Sequence, residues 1–269
     1  MPHIDIGPIQ LYYEIRGSGP RLFYISGTGG DLRRYPSIFD SPLAKNFEIL
    51  AYDQRGLGQS DRPDIDYTMA DYATDAEALL QRLGWASCAV FGVSFGGMVA
   101  QEFALRFPHR VSRLALACTS TGGEGGRSYP LENLAGRSRR DWAEAVLSLS
   151  DTRRDAIWRT ANVALFETLV GQLLEALSVG AAEPGREMGA RRQIDARRRH
   201  DTYARLPQLE SPVLVCGGQF DGIAPANNLK ALARQIAGAE LEFFDGGHMF
   251  YLQDSRAFER IGEFLCGSS

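Results

Sequence analysis

Three side chains far apart in the chain, Ser94, Asp221 and His248, could together carry out acyl transfer. Ser94 sits where an apolar run, Cys-Ala-Val-Phe-Gly-Val (88–93), meets an amphipathic helical pattern through Gly92-Val93-Ser94-Phe95-Gly96. A serine at such a sharp strand-to-helix turn is held in a strained conformation with its hydroxyl clear of the sheet. Glycines two residues away on either side let strand and helix approach. Gly-x-Ser-x-Gly by itself arises by chance in roughly one chain in ten of this length; its position between a strand and a helix gives it weight. The competing reading of Ser94 is an incidental helix N-cap.

A serine hydroxyl is a weak nucleophile unless a base takes its proton and a third group fixes the base's tautomer. The chain has four histidines. His3 precedes the first strand, His109 lies at the far end of the helix that Ser94 opens, and His200 falls in an arginine-rich helical stretch. His248 follows a strand through Asp245-Gly246-Gly247, on a loop at the strand's carboxyl end, and is the assigned base; the alternative is a turn histidine packed on the sheet. Asp221 lies in the loop after the 213–216 strand, ahead of a helix opened by Pro225, and is the assigned orienting carboxylate, against an Asx-turn reading. Asp245 and Asp254 are nearer to His248 in sequence, but one belongs to the turn and the other reads as a helix cap. The chain order Ser94, Asp221, His248 follows.

The amide of Phe95 opens the helix without an intrahelical partner and can donate to a developing oxyanion. A second donor is expected from Ser26-Gly27-Thr28-Gly29-Gly30, after the third strand. Thr28 is assigned, with Gly29 as the alternative.

These residues need a scaffold. At 269 residues with 44% apolar and 23% charged content, the chain suits one soluble α/β domain with an insertion. The net charge of −4 gives no electrostatic case for nucleic acid or an anionic membrane. The N-terminal residues show neither a basic nor an apolar leader segment, and no apolar run approaches the ~20 residues of a membrane span. Cys88, Cys118, Cys216 and Cys266 are far apart and lack metal-ligand spacing; reduced core thiols are expected, and with them a cytoplasmic location.

Residues 4–6 and 9–15 alternate around Gly7-Pro8, predicting an edge hairpin. Strands are expected at 21–26, 47–53, 88–93, 114–118, 213–216 and 241–244. Helical patterns fall at about 31–45, 68–83, 95–107, 225–236 and 255–265. This alternation predicts an α/β fold with an eight-stranded, mostly parallel sheet. It breaks after Thr119: a glycine-rich hinge (Gly122, Gly123, Gly125, Gly126) leads into helical patterns at 139–149, 152–177 and 186–206. The expected organisation is a core of 1–120 and 209–269 with an inserted helical cap, 121–208, over the carboxyl ends of the strands, where ligands bind in open α/β sheets. Trp142, Trp158 and Phe166 read as the cap's own core. Arg186, Arg191, Arg192, Arg197, Arg198 and Arg199 read as a solvated face, the alternative being one arginine turned inward to grip a substrate carboxylate. Asp53–Asp61 is glycine-rich but lacks the lysine and spacing of a phosphate loop, and reads as a structural loop.

Gly92–Gly96, Gly27–Gly30, Asp53-Gln54-Arg55-Gly56-Leu57-Gly58-Gln59-Ser60, Asp221 and Gly246-Gly247-His248 together resemble an α/β-hydrolase-fold serine hydrolase over essentially the whole chain. The chain is most similar to enzymes of the 3-oxoadipate enol-lactonase and aclacinomycin methylesterase kind. Ser26 stands where many relatives carry histidine. Serine at 94, rather than aspartate, argues against the haloalkane-dehalogenase and epoxide-hydrolase branches. The resemblance implies a cofactor-free hydrolase of a small-molecule ester or lactone. A carbon–carbon bond hydrolase of a β-diketone, a cofactor-free perhydrolase or haloperoxidase, and a hydrolase-fold ligand receptor are the alternatives. Whether the chain forms homo-oligomers is left open.

Overall fold

Consecutive residues of a strand face opposite sides of its sheet, so a strand buried on both faces is apolar throughout. The central strands have that character: all six residues of Cys88–Val93 and of Val213–Gly218 are buried. The structure, a computed structural model, describes residues 2–267. These form strands β1 (His3–Asp5), β2 (Gln10–Gly17), β3 (Arg21–Ile25), β4 (Glu48–Tyr52), β5 (Cys88–Val93), β6 (Val111–Ala117), β7 (Val213–Gly218) and β8 (Glu240–Phe244). They make one sheet of order β1-β2-β4-β3-β5-β6-β7-β8, antiparallel at β1–β2 and β2–β4 and parallel elsewhere. The expected α/β fold with an eight-stranded, mostly parallel sheet is the fold observed.

Helices α1 (Met69–Arg82) and α2 (Phe95–Arg106) cover one face, where Phe23, Leu50, Val90, Leu114 and Val215 pack in a single core. Their strand neighbours Leu22, Ile49, Ala89, Ala115 and Leu214 point the other way, onto the C-terminal helix Arg256–Cys266. Thr68 and Asp71 start α1 with reciprocal caps, the Asp71 amide to Thr68 Oγ1 at 3.2 Å and the Thr68 amide to Asp71 Oδ2 at 2.8 Å. Cys88, Cys118 and Cys216 are buried free thiols, and Cys266 is exposed. Among the described residues no helix is long and apolar enough to cross a membrane.

Between β6 and β7 the chain makes helices α3 (Arg139–Ser150), α4 (Ala156–Ala161), α5 (Val163–Ser178) and α6 (Arg186–Arg198). Trp142 and Trp158 pack around Phe166 in a small separate core. The expected continuous helix over 152–177 is interrupted at Asn162, whose side-chain amide donates to the Trp158 carbonyl at 2.8 Å and so replaces a helical bond. The stretch expected as helical to residue 206 leaves α6 at Arg199, because the Thr202 amide pairs instead with the Thr121 carbonyl at 2.8 Å. Residues 31–45 hold only short 3-10 turns, Ile38–Asp40 and Pro42–Lys45, instead of the expected helix. Pro36 and Pro42 lack amide protons, and the residue before each proline is pushed out of the helical region, as the extended Ser41 (ψ 158°) illustrates.

Candidate active site

β5 ends in Ser94, whose backbone is left-handed (φ 56°, ψ −115°), a conformation uncommon outside glycine. The strain is held from two sides: the Ser94 amide donates to the Ala117 carbonyl at 2.8 Å, and Thr119 Oγ1 donates to the Ser94 carbonyl at 2.8 Å. Gly96 makes the turn feasible, since a Cβ there would lie 2.0 Å from the Ile25 carbonyl oxygen. Only hydrogen at that position lets α2 abut the end of β3.

The structure brings Ser94, His248 and Asp221 into one line. His248 Nε2 lies 2.9 Å from Ser94 Oγ, and Nδ1 lies 2.7 Å from Asp221 Oδ2. With Asp221 ionised, Nδ1–H donates to the carboxylate, so Nε2 carries the lone pair that accepts the serine proton. Asp221 Oδ1 accepts the amides of Ile223 (2.7 Å) and Ala224 (2.9 Å), fixing the carboxylate plane. All three residues are buried, at 8%, 4% and 9% exposure for Ser94, Asp221 and His248, so little water competes for these bonds. The two nearer acids are engaged elsewhere: Asp245 pairs with Arg153 at 2.7 Å and Asp254 with Arg256 at 2.6 Å. His3 bonds the Gln59 carbonyl near the edge hairpin (3.1 Å), and His109 lies in a 3-10 turn past α2.

Gly27 lies against the serine, its absent Cβ 3.4 Å from Ser94 Cβ. In the adjoining loop the Gly29 amide donates to Gln193 Oε1 at 2.8 Å, which occupies the alternative donor. Among the described residues the amides of Thr28 and Phe95 have no protein acceptor. Gln54 Nε2 donates to the Ser26 carbonyl at 2.8 Å and Arg34 to the Gly29 carbonyl at 2.8 Å. These side chains brace the loop that follows β3. Sequence reasoning missed these roles of Gln193, Gln54 and Arg34: Gln193 reaches the loop from 164 residues away, and the spacing of Gln54 and Arg34 along the chain does not show which carbonyl each side chain meets. It also missed the end of α3, where the Ser150 carbonyl accepts the His248 amide and the Leu149 carbonyl accepts the Gly222 amide (3.0 Å). A carbonyl has no side-chain signature.

The Asp53 loop is structural. Its carboxylate accepts the amides of Leu32 (2.7 Å) and Gln59 (2.8 Å), and burial raises its pKa to about 6. Arg55 pairs bidentately with Asp75 of α1 at 2.6 and 2.7 Å, tying the same loop down. Helix α6 docks on this region: Arg186 reaches Asp31 at 3.1 Å, and Gly189 touches Gly56. The arginine run is therefore less solvated than expected, with Arg192 engaged by Asp64 and Asp66 and Arg197 buried, while Arg191, Arg198 and Arg199 are exposed. His200 lies beyond the end of α6, buried, with Nε2 donating to the Ser120 carbonyl at 3.2 Å. The described residues contain no group of three or more metal-ligating side chains.

Comparison with known proteins places this geometry in context. Residues 20–255 match the model of the alpha/beta hydrolase fold family. A Mycobacterium tuberculosis protein, uncharacterized protein Rv2715, is 30% identical over 263 residues, covering 93% of this chain and 76% of that one. The enol-lactonase from Burkholderia xenovorans LB400 is similar in structure, with a TM-score of 0.79 at 24% identity, covering 98% of this chain and 100% of that one. A thermophilic esterase from Thermogutta terrifontis has a TM-score of 0.76 at 26% identity, with 99% of each chain covered. With its matched region running from before β3 to the start of the last helix, the chain belongs to the alpha/beta hydrolase fold family.

Proposed function

We propose that the protein is a serine hydrolase that cleaves a carboxylic ester or lactone. The observation that carries the reading is the continuous relay from Asp221 Oδ2 through His248 to Ser94 Oγ, at 2.7 and 2.9 Å. Ser94 Oγ attacks the carbonyl carbon while His248 Nε2 takes its proton. Asp221 holds the ring in the required tautomer and stabilises the imidazolium. The amides of Thr28 and Phe95 receive the oxyanion; removing one such donor costs about 10²–10³ in turnover in related sites. Collapse of the tetrahedral adduct breaks the C–O bond, and His248 returns the proton to the departing alkoxide. Water, deprotonated by His248, then attacks the acyl-enzyme, and the serine leaves with the proton. The helices between β6 and β7 act as a cap whose apolar and aromatic residues favour a small to medium, partly apolar acyl group.

The likeness to an esterase at 26% identity supports an ester as the bond cleaved. The test is a series of p-nitrophenyl esters of rising chain length, with an enol-lactone and a β-diketone alongside, on the protein and on Ser94→Ala. The expected result is ester or lactone turnover that Ser94→Ala abolishes. Activity that survives in the variant overturns the nucleophile assignment, and diketone cleavage exceeding ester cleavage overturns the bond assignment.

A further inference from the structure

Arg197 lies in the last turn of α6 and is 6% exposed. Its Nη1 donates to the Tyr129 carbonyl at 2.9 Å, but its Nε and Nη2, both shielded from solvent, have no partner. Those two nitrogens form the side-on edge with which guanidinium binds a carboxylate through two parallel hydrogen bonds. Arg197 lines a cavity of about 210 Å³ between α6, Met98 of α2 and the segment after β6. At about 30 Å³ per water, that is room for roughly seven water volumes, the size of a small organic acid.

The walls suit an anion. Arg127, Arg197 and Arg198 line the cavity against one acid, Glu132, which makes no ion pair with Arg197 among the described residues. Ser120 and Ser128, also on the wall, share one hydrogen bond at 2.8 Å, which leaves one of their two hydroxyl protons free to donate. Burial lowers the Arg197 pKa to about 10, because the charge of Glu132 only partly offsets the desolvation of the guanidinium. The cavity abuts the elbow without including it: Ser120 follows Thr119, and the Met98 amide bonds the Ser94 carbonyl at 3.2 Å.

We propose that this cavity is a carboxylate-binding site anchored on Arg197. The carboxylate is either the free end of the substrate or a separate small organic acid. The binding claim stands apart from the hydrolytic reading, so it is tested first by calorimetry with butyrate, using butyramide as the neutral control. Butyrate is expected to bind the native protein, and at least tenfold more weakly to Arg197→Met and Arg197→Lys, the second of which keeps the charge but loses the fork. Butyramide is expected not to bind. Arg197→Met removes an unpaired buried charge, so its melting temperature should not fall, and thermal unfolding checks that it is folded. Butyrate binding that is absent from the native protein, or unchanged in folded Arg197→Met, overturns the proposal.

A second arm separates the two sources. The ratio of kcat/KM for monomethyl glutarate to that for methyl butyrate is measured in the native protein and in Arg197→Met. A fall of tenfold or more supports the substrate's own carboxylate as the occupant. An unchanged ratio together with Arg197-dependent butyrate binding supports a separate acid. Ester turnover failing altogether while butyrate still binds through Arg197 would refute the hydrolase reading and leave the binding site standing.

Discussion

Asp221 divides its two oxygens between different tasks, so Asp221→Asn has a computable outcome. Oδ1 accepts two backbone amides, from Ile223 at 2.7 Å and Ala224 at 2.9 Å, while Oδ2 accepts Nδ1–H of His248 at 2.7 Å. An asparagine must keep its oxygen on the Oδ1 side. The reverse orientation would set its NH₂ against two buried N–H donors, at about 1–3 kcal/mol for each unsatisfied group. The NH₂ therefore faces His248, whose Nδ1 must become the acceptor, and the ring proton moves to Nε2. Nε2–H then points at Ser94 Oγ and cannot take its proton. The wrong tautomer costs about 10⁴ in turnover in a triad of this type, or about 5 kcal/mol of barrier. The assay is kcat and KM for a p-nitrophenyl ester, with thermal unfolding measured in parallel. We expect kcat to fall by about 10⁴, KM to move little, and the melting temperature to stay within a few degrees. Asp221→Ala is the contrast, because it strands both amides and should destabilise by about 2–6 kcal/mol while also losing turnover. A less than tenfold loss of kcat in folded Asp221→Asn would refute the tautomer argument.

Three further outcomes follow from the geometry. Gln193→Leu removes the acceptor of the Gly29 amide (2.8 Å), so turnover should fall at least tenfold, with about 10²–10³ as the ceiling for losing one oxyanion donor; unchanged kcat would show that Gln193 does not position the loop. Gly96→Ala puts a Cβ 2.0 Å from the Ile25 carbonyl oxygen, and calorimetry should find the melting temperature lowered by roughly 10 °C; a shift below 2 °C would contradict the close approach of α2 and β3. Burial lowers the His200 pKa from 6.5 to about 4. The folded state thus binds its proton less readily than the unfolded chain, and His200 contributes stability above pH 6.5 that is lost as pH falls through 4. The amount is roughly 3 kcal/mol. Denaturant titrations at pH 7 and pH 4, in buffers free of carboxylic acids, should show the native protein losing that much more than His200→Gln, whereas parallel losses would exclude His200 as a source.

The strand-to-helix turn at Ser94 and the alternation of β and α elements are local properties of the chain. Apolar runs flanked by glycine mark buried parallel strands whatever lies around them, so 88–93 is legible residue for residue. The histidine assignment needed only the knowledge that loops at the carboxyl ends of parallel strands share one rim. Over residues 31–45 apolar residues recur at helical spacing, but two prolines limit the segment to short 3-10 turns. The 152–177 stretch misled because the Asn162 side chain competes with the backbone, a contest that periodicity does not register.

What the sequence determined by itself was therefore the fold class, the elbow and the residue types able to move a proton, since each is encoded in spacing along the chain. Tertiary structure alone decided which loop amide is free and which is taken by Gln193, which carbonyls hold the His248 loop, and which arginine of six lies buried with two guanidinium nitrogens lacking a partner. Those facts depend on side chains and backbone groups from 68 to 164 residues apart meeting in space, and hydrogen bonding over such separations leaves no periodic trace in the chain.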